Sequence, residues 1–225
     1  HTEWAYRDVI AVVEGAGEKV DILILPKVKA PRDVWFFETL LDQLEKKLGL
    51  KRRIALEALI EEAEALARIE EIAASSPRLV ALILGFGDLS ASQGVRWGLV
   101  PGYPGDFWHY ARARLVVAAR ACGIDAIDGP FANFRDPDGY GTEAKRAAAL
   151  GFVGKWAIHP SQIELANEAF APTDQEIALA RQMVEAYRAA ESGGEGAAGV
   201  GGVLIDAATA RIYEAILERA RLTGR

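Results

Sequence analysis

Five short apolar runs alternate with helical patterns along most of this chain, and this alternation limits the fold more than any other feature. The runs lie at 21–26, 54–60, 79–84, 125–127 and 152–158. Leu79–Leu84 is apolar throughout, and the run before it contains one charged residue, Glu57. Continuous apolar runs are typical of strands covered on both faces, as in parallel sheets. The helical stretches between them supply the crossovers that parallel strands require. We therefore predict an α/β fold with five βα units in series.

Acidic side chains follow two of these predicted strands at the point where the apolar run ends. Glu61 follows the second strand, and Asp88 lies four residues beyond the third. In a parallel barrel the carboxyl ends of neighbouring strands form the active-site rim, so the two carboxylates would meet there. Mg²⁺ is commonly held by one or two carboxylates, with waters and substrate oxygens completing its shell. The residues alone support the metal site and one alternative equally well. In that alternative, Glu61 begins a helix and Asp88 caps a turn.

Composition excludes several classes of protein. The chain has 225 residues, 51% of them hydrophobic, which predicts one main domain with an appendage. A net charge of −6 disfavours nucleic acid or an anionic membrane surface as the main partner. One cysteine, Cys122, excludes an internal disulfide and a cysteine-rich zinc site. The sequence contains no membrane-spanning apolar run and no signal peptide, so we expect a cytoplasmic location.

The last third of the chain has a different pattern. Two capping boxes, Ser161 with Glu164 and Thr173 with Glu176, predict the starts of two helices. A glycine- and alanine-rich run then predicts a flexible linker, and a short strand and a helix follow it. Such a tail is consistent with a mobile lid, and equally with a helix docked permanently on its own domain. The predicted divisions are a partial barrel (1–170), a helical extension (171–192), a linker (193–202) and a lid (203–225).

Seven motifs together carry a family resemblance. They lie in order along the chain at 25–28, 60–62, 74–78, 85–94, 126–130, 154–162 and 202–208. The chain resembles the citrate lyase β-subunit-like (HpcH/HpaI aldolase) family of acyl-CoA lyases, and within it the malyl-CoA/β-methylmalyl-CoA lyases. The resemblance implies a TIM (β/α)₈ barrel with a C-terminal lid that closes over a neighbouring subunit. Because family members carry three further βα units upstream, we expect the sequence as given to lack the first three units of the barrel.

The resemblance also implies roles for particular residues. Glu61 and Asp88 match the family's ligands for Mg²⁺, which Mn²⁺ can replace, and this favours the metal interpretation over the cap. Asp206 matches the lid aspartate, an acid/base supplied in trans, whose pKa we expect to rise when the lid excludes water. A trans-acting lid implies a homo-oligomer, a trimer or a hexamer. No nucleic-acid or membrane partner is expected.

The implied reaction is a reversible retro-Claisen cleavage. Malyl-CoA gives glyoxylate and acetyl-CoA, and β-methylmalyl-CoA gives glyoxylate and propionyl-CoA. Coenzyme A enters as part of the substrate, and its negative charges require local cations in an acidic protein. Lys27, at the end of the first predicted strand, and Lys155, within the last one, are our candidates, with solvated lysines as the alternative. His159 is interpreted as a turn residue, His109 as a pocket wall, and Glu57 as a buried hydrogen-bonding group.

Other functions fit the same sequence. A malyl-CoA thioesterase would share most of the pattern and release free malate. A citramalyl-CoA or citryl-CoA lyase is a further alternative. A metal-dependent class II pyruvate aldolase would lack the C-terminal tail. An inactive fragment that serves only as an assembly partner belongs to a different class altogether.

Overall fold

The computed structural model describes residues 2–96 and 106–225. By internal contacts the chain divides between Ile163 and Glu164 into two compact units. The predicted long loop at 91–105 lies mostly outside the described residues. At its beginning the structure differs from the prediction, because 91–93 form the last turn of a helix.

A parallel sheet organises the first unit. Its strands in the described residues are β1 (Ile22–Leu25), β2 (Ala55–Ile60), β3 (Leu79–Leu84), β4 (Asp125–Asp128) and β5 (Gly154–Lys155). They lie side by side in chain order, and each neighbouring pair is parallel. The predicted α/β fold with five serial βα units is confirmed. Because every strand runs the same way, all the carboxyl ends lie at one edge of the sheet.

Helices follow the strands of the first unit. They are α1 (Ala5–Ala16), α2 (Pro31–Leu48), α3 (Ala63–Ala67), α4 (Ile69–Ala73), α5 (Phe86–Gln93), α6 (His109–Ala121) and α7 (Pro137–Leu150). The covered face of the central strands carries Leu56, Ile60, Leu82 and Leu84, all fully buried. Helix α6 packs on β3 and β4 through buried residues such as Leu115. The buried apolar area of this layer is the main source of the unit's stability.

Three local predictions in the first unit are corrected. The single helix expected after β2 is two short helices, interrupted at Arg68, whose backbone leaves the helical region (φ −119°, ψ 22°). The last strand covers two residues instead of the predicted 152–158. Ser161 does not form its capping box, because it lies in a 3₁₀ turn where the His159 side chain accepts a hydrogen bond from its backbone N–H.

The second unit combines helices with a β-hairpin. Its elements are α8 (Ile163–Phe170, which begins at the boundary), α9 (Asp174–Ser192), β6 (Ala197–Val200), β7 (Val203–Asp206) and α10 (Ala207–Leu222). The Thr173–Glu176 capping box is confirmed, since each side chain accepts a hydrogen bond from the other residue's backbone N–H. Met183, Ile205 and Ala210 form the buried centre of the unit.

The predicted linker at 193–202 contains strand β6, which corrects its assignment as flexible. Val200 pairs with Val203, so Gly201 and Gly202 make a two-residue turn. Both glycines have positive φ, 58° and 83°, as a type I′ turn requires. The glycines that suggested flexibility therefore close a hairpin. Among the described residues, no helix is long and apolar enough to cross a membrane.

Candidate active site

The carboxylates of Glu61 and Asp88 meet at the carboxyl edge of the sheet. Glu61 follows β2 directly, and Asp88 lies in the first turn of α5, just after β3. Since β2 and β3 are hydrogen-bonded neighbours, their ends place the two side chains near each other, and both contact the same residue, Lys27. Glu61 is 6% exposed, whereas more than half of the Asp88 side chain is exposed. The pair therefore joins a buried carboxylate to one that faces solvent.

Gly85 leaves the space that Glu61 occupies. A Cβ atom at position 85 would lie 2.6 Å from the Cβ of Glu61 and 3.0 Å from its Oε2. The Gly85 backbone N–H donates to the carbonyl of Ile60 at 2.9 Å, which extends the pairing of β2 and β3 by one residue. This contact brings the start of α5 against Glu61, so the close approach of the two carboxylates depends on a glycine here.

Lys27 bridges the two carboxylates from the neighbouring strand β1. Its backbone N–H donates to Glu61 Oε1 at 2.8 Å, and its ammonium lies 2.7 Å from Asp88 Oδ1. The ammonium is also 3.9 Å from Glu62. Lys27 has φ of 52°, the one non-glycine residue with positive φ in the part of the chain that the structure describes. A left-handed backbone at a lysine costs about 1–2 kcal/mol, and here it directs the N–H group to Glu61.

The charges at this site shift the pKa values in opposite directions. Burial raises the pKa of Glu61, although the Lys27 N–H group opposes the shift. The hydrogen bond from the Lys27 ammonium lowers the pKa of Asp88. The same bond raises the pKa of Lys27. Glu61 is therefore the group that holds a proton more readily, and Asp88 is the more persistent anion.

The donor set fits a hard divalent cation. Within residues 2–96 and 106–225, no cluster of three or more His, Cys, Asp or Glu side chains has the geometry of a metal site. Zinc is usually bound by three or four such protein ligands, so the pair does not suit it. Mg²⁺ binds through one or two carboxylates and keeps several waters or substrate oxygens. The position of the Lys27 ammonium beside Asp88 and Glu62 indicates that this site attracts positive charge.

A cavity of about 660 Å³ lies next to Lys27. Its walls are largely apolar and come from β1, the turn after it, and the first turns of α1 and α2. The lining includes Tyr6, Leu25, Pro26, Val28 and Phe36. An apolar cavity with a cationic side chain at its edge is the usual form of a small-molecule site.

The structure disagrees with the prediction that Lys155 contacts coenzyme A. Its ammonium is buried and donates to Asp128 Oδ2 at 2.7 Å, to the Gly129 carbonyl at 2.7 Å and to Glu143 Oε1 at 2.6 Å. All three ammonium hydrogens are used, so none remains for a phosphate. Sequence reasoning missed Asp128 and Glu143 as its partners. The one available signal was the position of Asp128 at the end of a strand, in register with Lys155.

Asp206 begins helix α10 in the second unit. Its Oδ1 accepts hydrogen bonds from the Thr209 backbone N–H at 2.8 Å and from the Thr209 hydroxyl at 2.9 Å. These bonds lower the pKa of Asp206, the opposite of the rise expected for an acid/base group. Asp206 belongs to the second unit, whereas Glu61 and Asp88 belong to the first.

The other predicted polar residues have simpler positions. His159 precedes a 3₁₀ turn and caps it, which agrees with its assignment as a turn residue. His109 is the exposed first residue of α6. Glu57 is half-buried on the same face of β2 as Glu61, and burial raises its pKa.

Comparison with known proteins decides the family. The profile of the HpcH/HpaI aldolase/citrate lyase family matches residues 1–160. The chain belongs to this family. Among its members, the L-malyl-CoA/β-methylmalyl-CoA lyase of Cereibacter sphaeroides is 40% identical over 98% of this chain. The chain spans 74% of that relative's length.

Solved structures of related proteins agree with the family assignment. A citrate lyase from Burkholderia xenovorans superposes with a TM-score of 0.85 at 29% identity, over 100% of this chain and 71% of that one. The CitE protein of Mycobacterium tuberculosis, solved with magnesium, acetoacetate and coenzyme A, gives a TM-score of 0.75 at 29% identity. That match covers 98% of this chain and 74% of CitE.

Proposed function

We propose that this family member is a Mg²⁺-dependent carbon–carbon lyase acting on 3-hydroxyacyl-CoA thioesters. Its substrates are malyl-CoA and β-methylmalyl-CoA, which it cleaves reversibly to glyoxylate and acetyl-CoA or propionyl-CoA. The observation that carries the proposal is the meeting of Glu61 and Asp88 at the carboxyl ends of β2 and β3. The 40% identity with a malyl-CoA/β-methylmalyl-CoA lyase supports the choice of substrate.

The proposed architecture is that of a (β/α)₈ barrel to which these five units belong. Strand order supports it, because the described sheet runs from β1 to β5 without the reversal that marks doubly wound folds. In this arrangement residues 1–170 form barrel wall, 171–192 extend it, and 203–225 act as a lid that delivers Asp206 to a neighbouring subunit. The hairpin turn at Gly201–Gly202 sets the angle at which the lid strand leaves β6.

The chain's own side chains divide the chemistry between binding and proton transfer. Glu61 and Asp88 hold the cation, with Glu61 fixed by the Lys27 N–H group and Asp88 open to substrate. When bound, Mg²⁺ would stabilise the alkoxide that forms when the malyl hydroxyl loses its proton, before the C–C bond breaks and the charge passes to the thioester enolate. As a carboxylate, Asp206 takes the proton that the malyl hydroxyl loses and returns it to the carbon of the departing thioester enolate, and both transfers run in reverse in the condensation direction.

Lys27 has a second proposed role at the edge of the apolar cavity. Its ammonium pairs with Asp88 and is partly exposed, so a cation that binds Asp88 would displace it. The released ammonium would then lie next to the cavity beside β1 and contact the anionic part of the coenzyme A thioester. This proposal keeps Lys27, and not Lys155, as the coenzyme A contact.

Product analysis tests the proposed reaction. The purified protein is incubated with malyl-CoA and Mg²⁺, and glyoxylate, acetyl-CoA and free malate are quantified by chromatography. We expect glyoxylate and acetyl-CoA in equal amounts, and malyl-CoA when these two are supplied instead. Free malate with free coenzyme A would identify a thioesterase. Absence of every product would contradict the proposal.

A further inference from the structure

A buried cluster of charged side chains lies beside strand β3, and it has no role in the chemistry proposed above. Arg112 on α6 is 1% exposed, and Asp128 at the end of β4 is fully buried. Arg112 Nε donates to Asp128 Oδ1 at 3.0 Å, and the Lys155 ammonium donates to the other oxygen of Asp128 at 2.7 Å. Glu143 on α7 contacts both cations, at 3.2 Å and 2.6 Å. We refer to these four residues as the Arg112 cluster.

The Arg112 cluster surrounds the ring of Phe86. The guanidinium carbon of Arg112 lies 4.6 Å from the ring centroid, and the Lys155 ammonium lies 5.5 Å from it. Trp108 packs on the same ring at a centroid distance of 5.3 Å. Gly129 also lies against the ring, since a Cβ at that position would lie 2.8 Å from Phe86 Cδ2. Lys155 fixes this segment through its hydrogen bond to the Gly129 carbonyl.

Phe86 lies at the point where the cluster can affect the carboxylate pair. It is the first residue of α5, one residue after Gly85 and two before Asp88. Gly85 contacts Glu61, and Asp88 is the second carboxylate of the pair. Asp88 itself is largely exposed and has little packing of its own. The orientation of the turn that carries it therefore depends on how firmly Phe86 is held.

Burying these ions has a cost that apolar residues would avoid. Replacing a buried ion pair with well-packed apolar side chains is often neutral or stabilising. Such clusters fix the orientation of their side chains, because charged hydrogen bonds and cation–π contacts depend on direction more than apolar packing does. A ring enclosed by two cations and a glycine has little freedom to tilt.

A second buried arginine provides a comparison within the same unit. Arg78 is 2% exposed and donates to Glu45 Oε1 at 2.7 Å and to the Ile54 carbonyl at 2.8 Å, with Asp42 as a further partner. These groups lie at the amino ends of β2 and β3, the opposite edge of the sheet from Glu61. Arg78 therefore contributes to stability without access to the carboxylate pair.

We propose that the Arg112 cluster is a positioning device for the metal site, acting through the Phe86 ring to hold Asp88 at the distance from Glu61 that a divalent cation requires. The members of the cluster are positioning residues, because the contacts described above connect them to Phe86 and Gly129 and reach the carboxylates only through α5. The inference rests on the proposed function, since it assumes that Glu61 and Asp88 bind the cation.

Mn²⁺ binding measured by electron paramagnetic resonance tests this inference without any catalytic assay. The variants are Arg112→Met and Phe86→Leu, with Arg78→Met as the matched control for loss of a buried arginine. Each is measured at a temperature where circular dichroism shows it to be folded. We expect both test variants to bind Mn²⁺ at least tenfold more weakly than the wild type, and Arg78→Met to remain within twofold of it.

Wild-type affinity in Phe86→Leu, or in a folded Arg112→Met, would overturn the inference. If Arg112→Met does not fold, Phe86→Leu decides alone, because it leaves every ion pair in place. Equal weakening in Arg78→Met would also overturn it, since the effect would then be general loss of stability. Failure of the proposed function has a different result: the wild type would bind no Mn²⁺, or Glu61→Gln would bind it normally, and the inference would fail with it.

Discussion

At the scale of single residues, Glu61 combines two demands that conflict. Burial raises its pKa, so the ionised form that a metal needs is the form that folding disfavours. The Lys27 N–H group compensates in part, by donating to Oε1 from a left-handed backbone. Strained or destabilising positions of this kind are commonly found at functional sites.

Replacing Glu61 with Gln should make the metal-free protein more stable relative to the wild type as pH rises. The folded state holds the Glu61 proton more tightly than the unfolded chain does. The wild type's free energy of unfolding therefore falls as pH rises from the ordinary carboxyl pKa through the raised one. Gln does not titrate, so the difference between the two proteins should be smallest near pH 4 and largest near pH 7. Urea unfolding with EDTA present measures it, and a difference that shrinks as pH rises would contradict the raised pKa.

Replacing Lys27 with Asn should strengthen cation binding at the carboxylate pair. Asn tolerates a left-handed backbone and keeps the N–H group that donates to Glu61, but removes the ammonium beside Asp88. Removing about 1–2 kcal/mol of repulsion between Lys27 and a divalent ion should raise Mn²⁺ affinity roughly fivefold to thirtyfold. Calorimetric titration measures this. Lys29→Asn is the matched control for net charge and should stay within twofold of the wild type. Unchanged or weaker binding in Lys27→Asn would exclude competition by the ammonium.

At the scale of elements, the junction between β3 and α5 determines the geometry of the site. Gly85 ends the strand against Glu61, Phe86 anchors the first turn of the helix in the core, and Asp88 projects from that turn. These three structural roles fall within four residues, 85–88.

Gly85→Ala should impair the site by displacing Glu61. The added methyl group would lie 2.6 Å from the Glu61 Cβ, a distance that forces one of the two strands to move. We expect metal affinity to fall at least tenfold and stability to fall by about 1–3 kcal/mol, the usual cost of overpacking. Gly87→Ala, two residues away, has open space around the new methyl group and serves as the control. Normal Mn²⁺ binding in Gly85→Ala would show that the close approach at Gly85 is not required.

The sequence predicted elements best where one physical signal dominated. β2 and β3 are apolar runs covered on both faces, and their ends were predicted to within one residue. β6 was missed, because its Ala-Ala-Gly-Val sequence has no strand pattern and the hairpin depends on its turn and on pairing with β7. The helix after β2 was predicted as continuous because nothing in its composition marks the break at Arg68.

At the scale of the whole molecule, the position of the two carboxylates that we propose as metal ligands was predictable, but the buried contacts around them were not. Strand order and parity place Glu61 and Asp88 at one edge once the sheet is known to be parallel. The Arg112 cluster joins residues from α6, β4, α7 and β5, and its members are up to 43 positions apart in the sequence. Lys155 was assigned to coenzyme A because the sequence does not show that this lysine is buried. Its burial becomes visible only when α7 is packed against it.

The central claim is that one divalent cation, held by Glu61 and Asp88, is necessary for cleavage of the CoA thioester. The most direct test compares glyoxylate release from malyl-CoA by the wild type, Glu61→Gln and Asp88→Asn, after treatment with EDTA and then with Mg²⁺ restored. We expect the wild type to lose activity with EDTA and recover it with Mg²⁺, and both variants to stay at least a hundredfold less active while folded. Recovery of full activity by either variant, or undiminished wild-type activity in EDTA, would contradict the account.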